Sequence, residues 1–182
     1  MKSFRLCQAL SASAIALIAA ACAAPPPPAP PPAARPAPPP APAPAPAPLA
    51  GDWIDWPLTP GDWSYSRNAG GSLASFGSDA APRFAVRCDL AARRIELAHL
   101  GKLEAGRSAA MTVRATAGTA RYPLANSAAQ PGYVVASLPP ADPQLDRMIF
   151  SRGRFLVEVE GAAQPLVIPA WPEVARVVED CR

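Results

Sequence analysis

The sequence has little of what catalytic and metal sites require. His99 is its only histidine, and the chain has four cysteines but no C-x-x-C motif. Structural zinc sites take closely spaced cysteine and histidine ligands, so we expect no metal. A G-x-S-x-G elbow, a phosphate-binding loop and a calcium-binding loop are also absent. We therefore expect no cofactor and no enzyme, and we expect His99 to be a partly exposed residue or a hydrogen-bonded core residue.

The chain also lacks a strong excess of either charge. It has 17 lysine and arginine residues against 14 acidic residues, a formal net charge of +3. Two of the basic residues, Lys2 and Arg5, lie in the N-terminal segment that we predict to be removed, which leaves 15 against 14. Nucleic-acid-binding domains normally carry a pronounced basic patch. We expect no nucleic-acid partner.

A run of apolar residues occupies the N-terminus. Residues 1–21 have a short basic start, an apolar stretch from about Ala9 to Ala21, and small residues at its end. The stretch is too short to span a bilayer and has the order of a secretory signal peptide. We predict that the protein is exported to the cell envelope.

The end of this segment reads A-A-A-C, at residues 19–22. It resembles the lipobox of bacterial lipoproteins, although that family usually has leucine where this chain has Ala19. The resemblance implies that Cys22 is lipidated, and that the protein sits in the outer membrane facing the periplasm, because Ala23 replaces the aspartate associated with inner-membrane retention. The alternative is ordinary cleavage after an A-x-A sequence, in which Cys22 has no role.

Residues 22–50 consist mostly of proline and alanine, with fifteen prolines between residues 25 and 49. Proline fixes φ and lacks an amide donor, so neither a helix nor a sheet is expected. We predict a disordered, polyproline II-like spacer that extends at ~3.1 Å per residue and reaches roughly 80 Å at most. In the alternative, the segment contacts the cell wall or a proline-recognising groove.

The remaining 132 residues, 51–182, suffice for one globular domain. Alternating apolar residues and turn residues predict about eight short strands in hairpin order. Helix signals follow at Asp142-Pro143 and at Trp171-Pro172. The predicted fold is mainly β: an antiparallel β-sandwich or curved sheet with a short helix and a C-terminal helix. In a late strand, Phe155, Val157 and Val159 should face the core, and Leu156 should face outward with its glutamate neighbours.

The central strand, residues 83–89, predicts a disulfide. Its core-facing residues are Phe84, Val86 and Cys88, while Ala85, Arg87 and Asp89 should face water. In the last helix, the i, i+3, i+4, i+7 spacing that marks one helical face is held by Val174, Val177, Val178 and Cys181. Two inward cysteines in an exported domain favour a disulfide between Cys88 and Cys181.

Two side-chain groups could bind a partner. Trp53, Trp56 and Trp63 accompany two G-D-W repeats and either pack on the edge of the core, which we favour, or stack on sugar rings.

The second group is Arg147, Arg152 and Arg154, around a glycine turn. These arginines could clamp an anion or an acidic partner surface. Alternatively, they form a solvated face paired with Asp146 and Glu158.

The order of elements resembles a known family. Residues 63–181 contain, in order, a predicted strand that begins with a tryptophan, a strand that ends in R-C-D, and two hairpins. They continue with the segment L-D-R-M-I-F leading into a strand, the segment L-V-I-P, and a helix that ends in a cysteine. This layout resembles periplasmic proteins of the invasion-associated locus B type and small envelope proteins found beside type VI secretion genes. The resemblance implies a disulfide-containing β-sandwich with an interaction role in the envelope.

These observations favour a tethered, non-enzymatic envelope module that binds an envelope protein or peptidoglycan. The alternative is an inhibitor or accessory factor of an envelope enzyme or of a secretion machinery. An enzyme that acts on the cell wall is the least favoured hypothesis.

Lipidation of Cys22 predicts the mass of the mature protein. Intact-mass spectrometry of protein purified from a bacterial envelope should show a chain that begins at Cys22 and carries acyl groups. Cys22→Ser should abolish this species, because the lipid is attached through the sulfur atom. A wild-type chain that is unmodified and begins after residue 22 would contradict the prediction.

Overall fold

The computed structural model describes residues 49–78 and 81–182. The predicted signal peptide (1–21), Cys22 and nearly all of the predicted spacer (22–50) lie outside the described residues, so those expectations stay predictions. Within the described residues, no helix combines the length and the hydropathy needed to cross a bilayer.

The described chain forms ten strands, two α-helices and one 3-10 helix, η1. In chain order they are η1 (Trp53–Asp55), β1 (Asp62–Asn68), β2 (Gly71–Ser78), β3 (Ala81–Asp89), β4 (Arg94–Leu100), β5 (Ala110–Ala115), β6 (Gly118–Pro123), β7 (Ala125–Asn126), β8 (Tyr133–Leu138), α1 (Pro143–Ile149), β9 (Arg154–Val159), β10 (Leu166–Pro169) and α2 (Pro172–Cys181). The predicted class, mainly β with a short helix and a C-terminal helix, is confirmed. The prediction of about eight strands did not include the two-residue β7, which is too short to show a hydrophobic period.

The strands form two antiparallel sheets. A six-stranded sheet has the order β1-β2-β3-β4-β8-β7, and a four-stranded sheet has the order β10-β9-β5-β6. Their inner faces share one core, in which Phe84 of β3 meets Phe155 of β9 with ring centroids 6.0 Å apart. The helices α1 and α2 contribute to the same core. The inner face of the larger sheet is thus covered partly by strands and partly by helices.

The central strand has the predicted inward residues, but one outward assignment is wrong. Phe84, Val86 and Cys88 are buried in the core as expected. Ala85, expected to face water, is only 2% exposed and packs in a second small cluster with Ala98 and Tyr133. The outer face of the sheet is therefore also partly covered, which the alternation within one strand does not reveal.

Leu156 is a second correction. It was expected to face outward beside glutamates, yet it is fully buried. The segment before β1 explains this, because η1 packs against β9 and Thr59 hydrogen-bonds to the outer edge of β10. The Thr59 amide donates to the Val167 carbonyl at 2.9 Å, and the Val167 amide donates to the Thr59 hydroxyl at 2.9 Å. A segment distant in sequence thus covers part of the outer side of the small sheet.

Helix α2 lies against the larger sheet and brings the two predicted cysteines together. Its apolar face is buried as expected, and the sulfur atoms of Cys88 and Cys181 are at disulfide-bonding distance, with their Cα atoms 5.5 Å apart. The backbone of Cys88 leaves little room: a Cβ at Gly71 would overlap its carbonyl oxygen. Glycine is therefore required where β2 passes this cysteine.

Polar contacts hold the same helix end. Asp180 accepts a hydrogen bond from the Tyr65 hydroxyl at 2.5 Å and pairs with Arg67 at 2.8 Å. The hydrogen bond from Tyr65, with the charge of Arg67, lowers the pKa of Asp180. Arg176 lies over the Tyr65 ring, 4.3 Å from its centroid. The last turn of α2 is thus tied to both β1 and β3.

The disulfide should contribute much of the stability. Because it would close a loop with a sequence separation of 93 residues, chain entropy alone predicts that the Cys88→Ala/Cys181→Ala variant loses about 4 to 5 kcal/mol of unfolding free energy. Urea denaturation of the oxidised domain and of the variant measures this loss. Reductant should shift the wild-type midpoint in the same direction and leave the variant unchanged, and a wild-type midpoint insensitive to reductant would contradict the prediction.

Candidate functional site

Two adjoining cavities lie at one end of the sandwich, which we call the open end. It is formed by the last residues of β4, His99 and Leu100, and by the turn of residues 160–165 between β9 and β10. One cavity measures about 1090 Å³ and the other about 570 Å³. Both are lined by His99, Leu100 and Ala162. Their shared lining makes the open end an extended concave surface.

The larger cavity is mainly apolar and lies between the segment before β1 and the turn of residues 160–165. Its walls include Trp56, Leu58 and Leu166, with Arg83 as a cation. Leu58 and Leu100, which also line it, are each 44% exposed. The Trp56 indole donates to the Ala50 carbonyl at 3.1 Å, which holds this wall in place. The cavity therefore presents a preformed apolar surface.

The smaller cavity is polar. It is lined by Lys102, Glu104 and Arg107 from the segment between β4 and β5, and by Glu160. Glu160 is already paired, since it accepts hydrogen bonds from Arg121 and from the Ala110 amide. The Arg121 hydrogen bond is the main cause that lowers the pKa of Glu160. Because Glu160 is paired, Lys102 and Arg107 outnumber the remaining carboxylate, Glu104. This cavity therefore has a slight positive charge.

His99 stands between the two cavities. It shares the inner face of β4 with Ile95 and Leu97, as predicted, and is 8% exposed. Among the described residues, its buried Nδ1 has no hydrogen-bond partner. Burial lowers the pKa of His99; the backbone of Leu100 opposes the shift and the charge of Arg83 adds to it. The imidazole is consequently neutral at neutral pH.

The three predicted arginines do not converge on one point. The Arg154 guanidinium donates to the Trp56 carbonyl at 2.6 Å. Arg147 donates to the side chain of the buried Gln144 at 3.3 Å and lies against Gly118, which follows the turn between β5 and β6. Arg152 has an exposed side chain, and its backbone amide donates to Thr116 at 3.2 Å. Arg147 and Arg152 thus flank the same turn, and their role in anion contact stays a prediction.

The alternative pairing of these arginines is wrong. Asp146 pairs with Arg182 at 2.6 Å, and Glu158 pairs with Arg114 at 2.8 Å. The two carboxylates expected to neutralise the cluster are therefore occupied by other cations.

The three tryptophans have different environments. Trp63 is a core residue: it is 8% exposed, packs on Phe76 with a centroid distance of 5.4 Å and donates its indole N–H to the Pro169 carbonyl at 2.9 Å. Trp53 and Trp56 are half-buried in the segment that covers the small sheet. Core packing thus accounts for Trp63, whereas Trp56 also borders the apolar cavity.

Two exposed aromatic side chains lie toward the opposite end of the small sheet and were missed from the sequence. Phe150 is 78% exposed and Trp171 is 45% exposed. Phe150 lies just before Gly153 in the chain, and Trp171 directly follows Ala170. These two segments are neighbours, because the Ala170 amide donates to the Gly153 carbonyl at 3.1 Å. The sequence feature that could have indicated this surface is Phe150, which directly follows a short predicted helix and precedes Arg152 in the glycine turn. We call Phe150, Arg152 and Trp171 the aromatic surface.

Metal chemistry finds no support in the described residues, where no group of three or more histidine, cysteine, aspartate or glutamate side chains converges. The remaining buried polar group near the helices, Gln144, is used structurally: it donates to the Val113 carbonyl at 3.0 Å.

No protein-family model, curated protein or solved structure matches this chain. The resemblance to envelope proteins of the invasion-associated locus B type and to those found beside type VI secretion genes therefore stays a prediction.

The environment of His99 predicts its titration. Its pKa in the folded protein should lie below the ordinary 6.5. The unfolded chain, in which the histidine has its ordinary pKa of 6.5, then binds the proton more readily than the folded chain does. The stability contributed by neutral His99 is therefore fully present above pH 6.5, and it is lost as the pH falls through the pKa of His99 in the folded state. Because this is the only histidine, its ring signals in an NMR titration are unambiguous.

His99→Gln is the control for this prediction. Its stability should fall less steeply than that of the wild type as the pH is lowered from 7 to 5. Arg83→Gln should raise the His99 midpoint slightly. A wild-type midpoint at or above 6.5 would show that the ring is solvated or partnered.

Proposed function

We propose that this chain is an exported, lipid-anchored module of the bacterial cell envelope that binds a protein partner and catalyses no reaction. The signal-like segment, the lipobox-like Cys22 and the proline-alanine spacer support anchoring at a distance from the membrane. A spacer of this composition lets a folded domain search the space around its anchor.

The observation that carries the binding role is the aromatic surface. Phe150 keeps 78% of its area exposed although it directly follows a helix that buries Leu145 and Met148. Phenylalanine, tryptophan and arginine are enriched at protein interfaces, and tryptophan and arginine dominate their binding energy. Exposed aromatic side chains of this kind favour docking to another macromolecule over a purely structural role.

The surface is also held in a defined shape. Asp142 caps α1 by accepting from the Gln144 amide at 2.8 Å, and it accepts from the Tyr122 hydroxyl at the same distance. The Ser151 hydroxyl accepts from the Thr116 amide at 3.1 Å, which anchors the turn after Phe150 to the β5–β6 turn. A preorganised surface loses less conformational entropy when a partner binds.

The second candidate is an inhibitor or accessory factor of an envelope enzyme or secretion machinery. The observation in its favour is that Phe150 and Arg152 lie on a short, hydrogen-bonded turn, a shape suited to entering a cleft. The identity of the captured partner distinguishes the two candidates. Peptidoglycan, the other partner class considered, would give no protein adduct.

Site-specific crosslinking tests the proposal. A photo-crosslinking amino acid at position 152 of the full chain, expressed in its native host, should give a discrete protein adduct. Phe150→Ala or Trp171→Ala should reduce that adduct at least several-fold, because each removes a large contact side chain. The yield is measured by immunoblotting of the envelope fraction.

The control places the same crosslinker at position 90. Leu90 is 38% exposed and lies two residues after Cys88, near the opposite end of α2 from Trp171. It should give no such adduct. Equal adducts at both positions, or an adduct at 152 that persists without both aromatic side chains, would refute docking through the aromatic surface.

A further inference from the structure

We propose that the two adjoining cavities at the open end, which share His99, Leu100 and Ala162 in their lining, bind an anionic amphiphile across these residues, with its aliphatic chain in the apolar cavity and its carboxylate or phosphate head in the polar cavity. This site uses none of the residues of the aromatic surface and does not depend on the proposed protein docking.

Size and lining favour an aliphatic ligand in the larger cavity. Its volume of about 1090 Å³ is at the upper end of ordinary small-molecule sites. Leu58 and Leu100, each 44% exposed, are the two most exposed leucines of the described residues, and both line this cavity. An aliphatic chain placed between Trp56, Leu58 and Leu100 would remove this apolar surface from water.

His99 supplies the polar anchor where the cavities meet. The side chain is more than nine-tenths buried, and its Nδ1 has no hydrogen-bond partner among the described residues. Buried polar atoms are nearly always hydrogen-bonded, so an unpaired atom on a residue that lines both cavities indicates a missing partner. Nδ1 itself has almost no accessible surface, so the ring has to turn toward the polar cavity for a ligand to reach it. Neutral imidazole can donate or accept through Nδ1, depending on its tautomer. The head group, or a hydroxyl beside it, can meet this requirement.

Charge favours an anionic head. Neither Lys102 nor Arg107 takes part in any ion pair formed by the described residues. Glu160 is neutralised by Arg121, which leaves Glu104 as the acidic residue that opposes these two cations. The polar cavity therefore has a net charge of about +1, and a carboxylate or phosphate is complementary to it.

The geometry also explains why the head and the chain would occupy different cavities. The shared residues His99, Leu100 and Ala162 separate an apolar side from a side with three charged residues of the β4–β5 segment. A uniformly polar ligand would leave the apolar cavity exposed to water. A purely aliphatic ligand would leave Nδ1 of His99 unpaired.

The binding test uses the full chain with Cys22→Ser, which removes any attached lipid. The probes are dodecanoate, dodecyl phosphate and dodecyltrimethylammonium, each below its micellar concentration. Calorimetry measures the affinity, and the His99 ring signals report where the probe binds. We expect at least one anionic probe to bind ten-fold or more tightly than the cationic probe and to shift the His99 signals. Preference for the carboxylate or for the phosphate identifies the head-group source.

Exposed residues provide variants that should fold. Leu100→Glu should weaken binding of the anionic probes at least ten-fold by placing a carboxylate in the apolar cavity. Lys102→Glu/Arg107→Glu should abolish the preference for anionic heads. Phe150→Ala, at the opposite end, is the matched control and should bind like the parent chain, which keeps a failure here distinct from a failure of protein docking.

Circular dichroism checks that each variant is folded. Equal affinity for all three probes, or anionic binding that leaves the His99 signals unmoved or is insensitive to Leu100→Glu, would overturn the proposal.

Discussion

The attachment of α2 to the larger sheet through Cys88 and Cys181 is the constraint on which the rest of the structure depends. The four-stranded sheet and the helices share the inner face of the six-stranded sheet. Phe84 packs on Phe155 of the small sheet, whereas Cys88, four residues further along β3, meets the end of α2. The contacts of Asp180 with Tyr65 and Arg67 reinforce the same attachment. Helices therefore cover the sheet where the small sheet does not reach.

This division produces two ends with different properties. At the helix end, the core is closed by α2 and by the residues around Cys88. At the other end of β4, His99 faces inward between the sheets with a polar atom unpaired, and cavities remain beside it. The segment before β1 extends the apolar cavity because Thr59 binds the edge of β10 and carries Trp56 and Leu58 into position. Aromatic docking and amphiphile binding are accordingly assigned to opposite ends of the small sheet.

Much of the fold follows from local periodicity, whereas the candidate sites do not. Alternation in β3 and helical spacing in α2 each identify their inward cysteine, and Asp142 and Pro143 mark the start of α1. Ala85 and Leu156 were assigned to water because alternation reports only one face of one strand. The segment that buries Leu156 lies about 100 residues earlier, so no window around β9 contains that information. Arg154 likewise binds Trp56 across a sequence separation of 98 residues.

The sequence by itself determined the mainly β class, the two helices, the inward orientation of Cys88 and of Cys181 and the inward face of β4, because each depends on the period of side chains along a single element. The pairing of the two cysteines followed from there being no other cysteine in residues 51–182. Only the tertiary structure decided that His99 lacks a partner among the described residues, that the three arginines separate, and that Phe150 and Trp171 stay exposed on neighbouring chain segments. These properties depend on which distant segments meet. Long-range packing decides that, and the hydrophobic pattern of any one segment is compatible with several such arrangements.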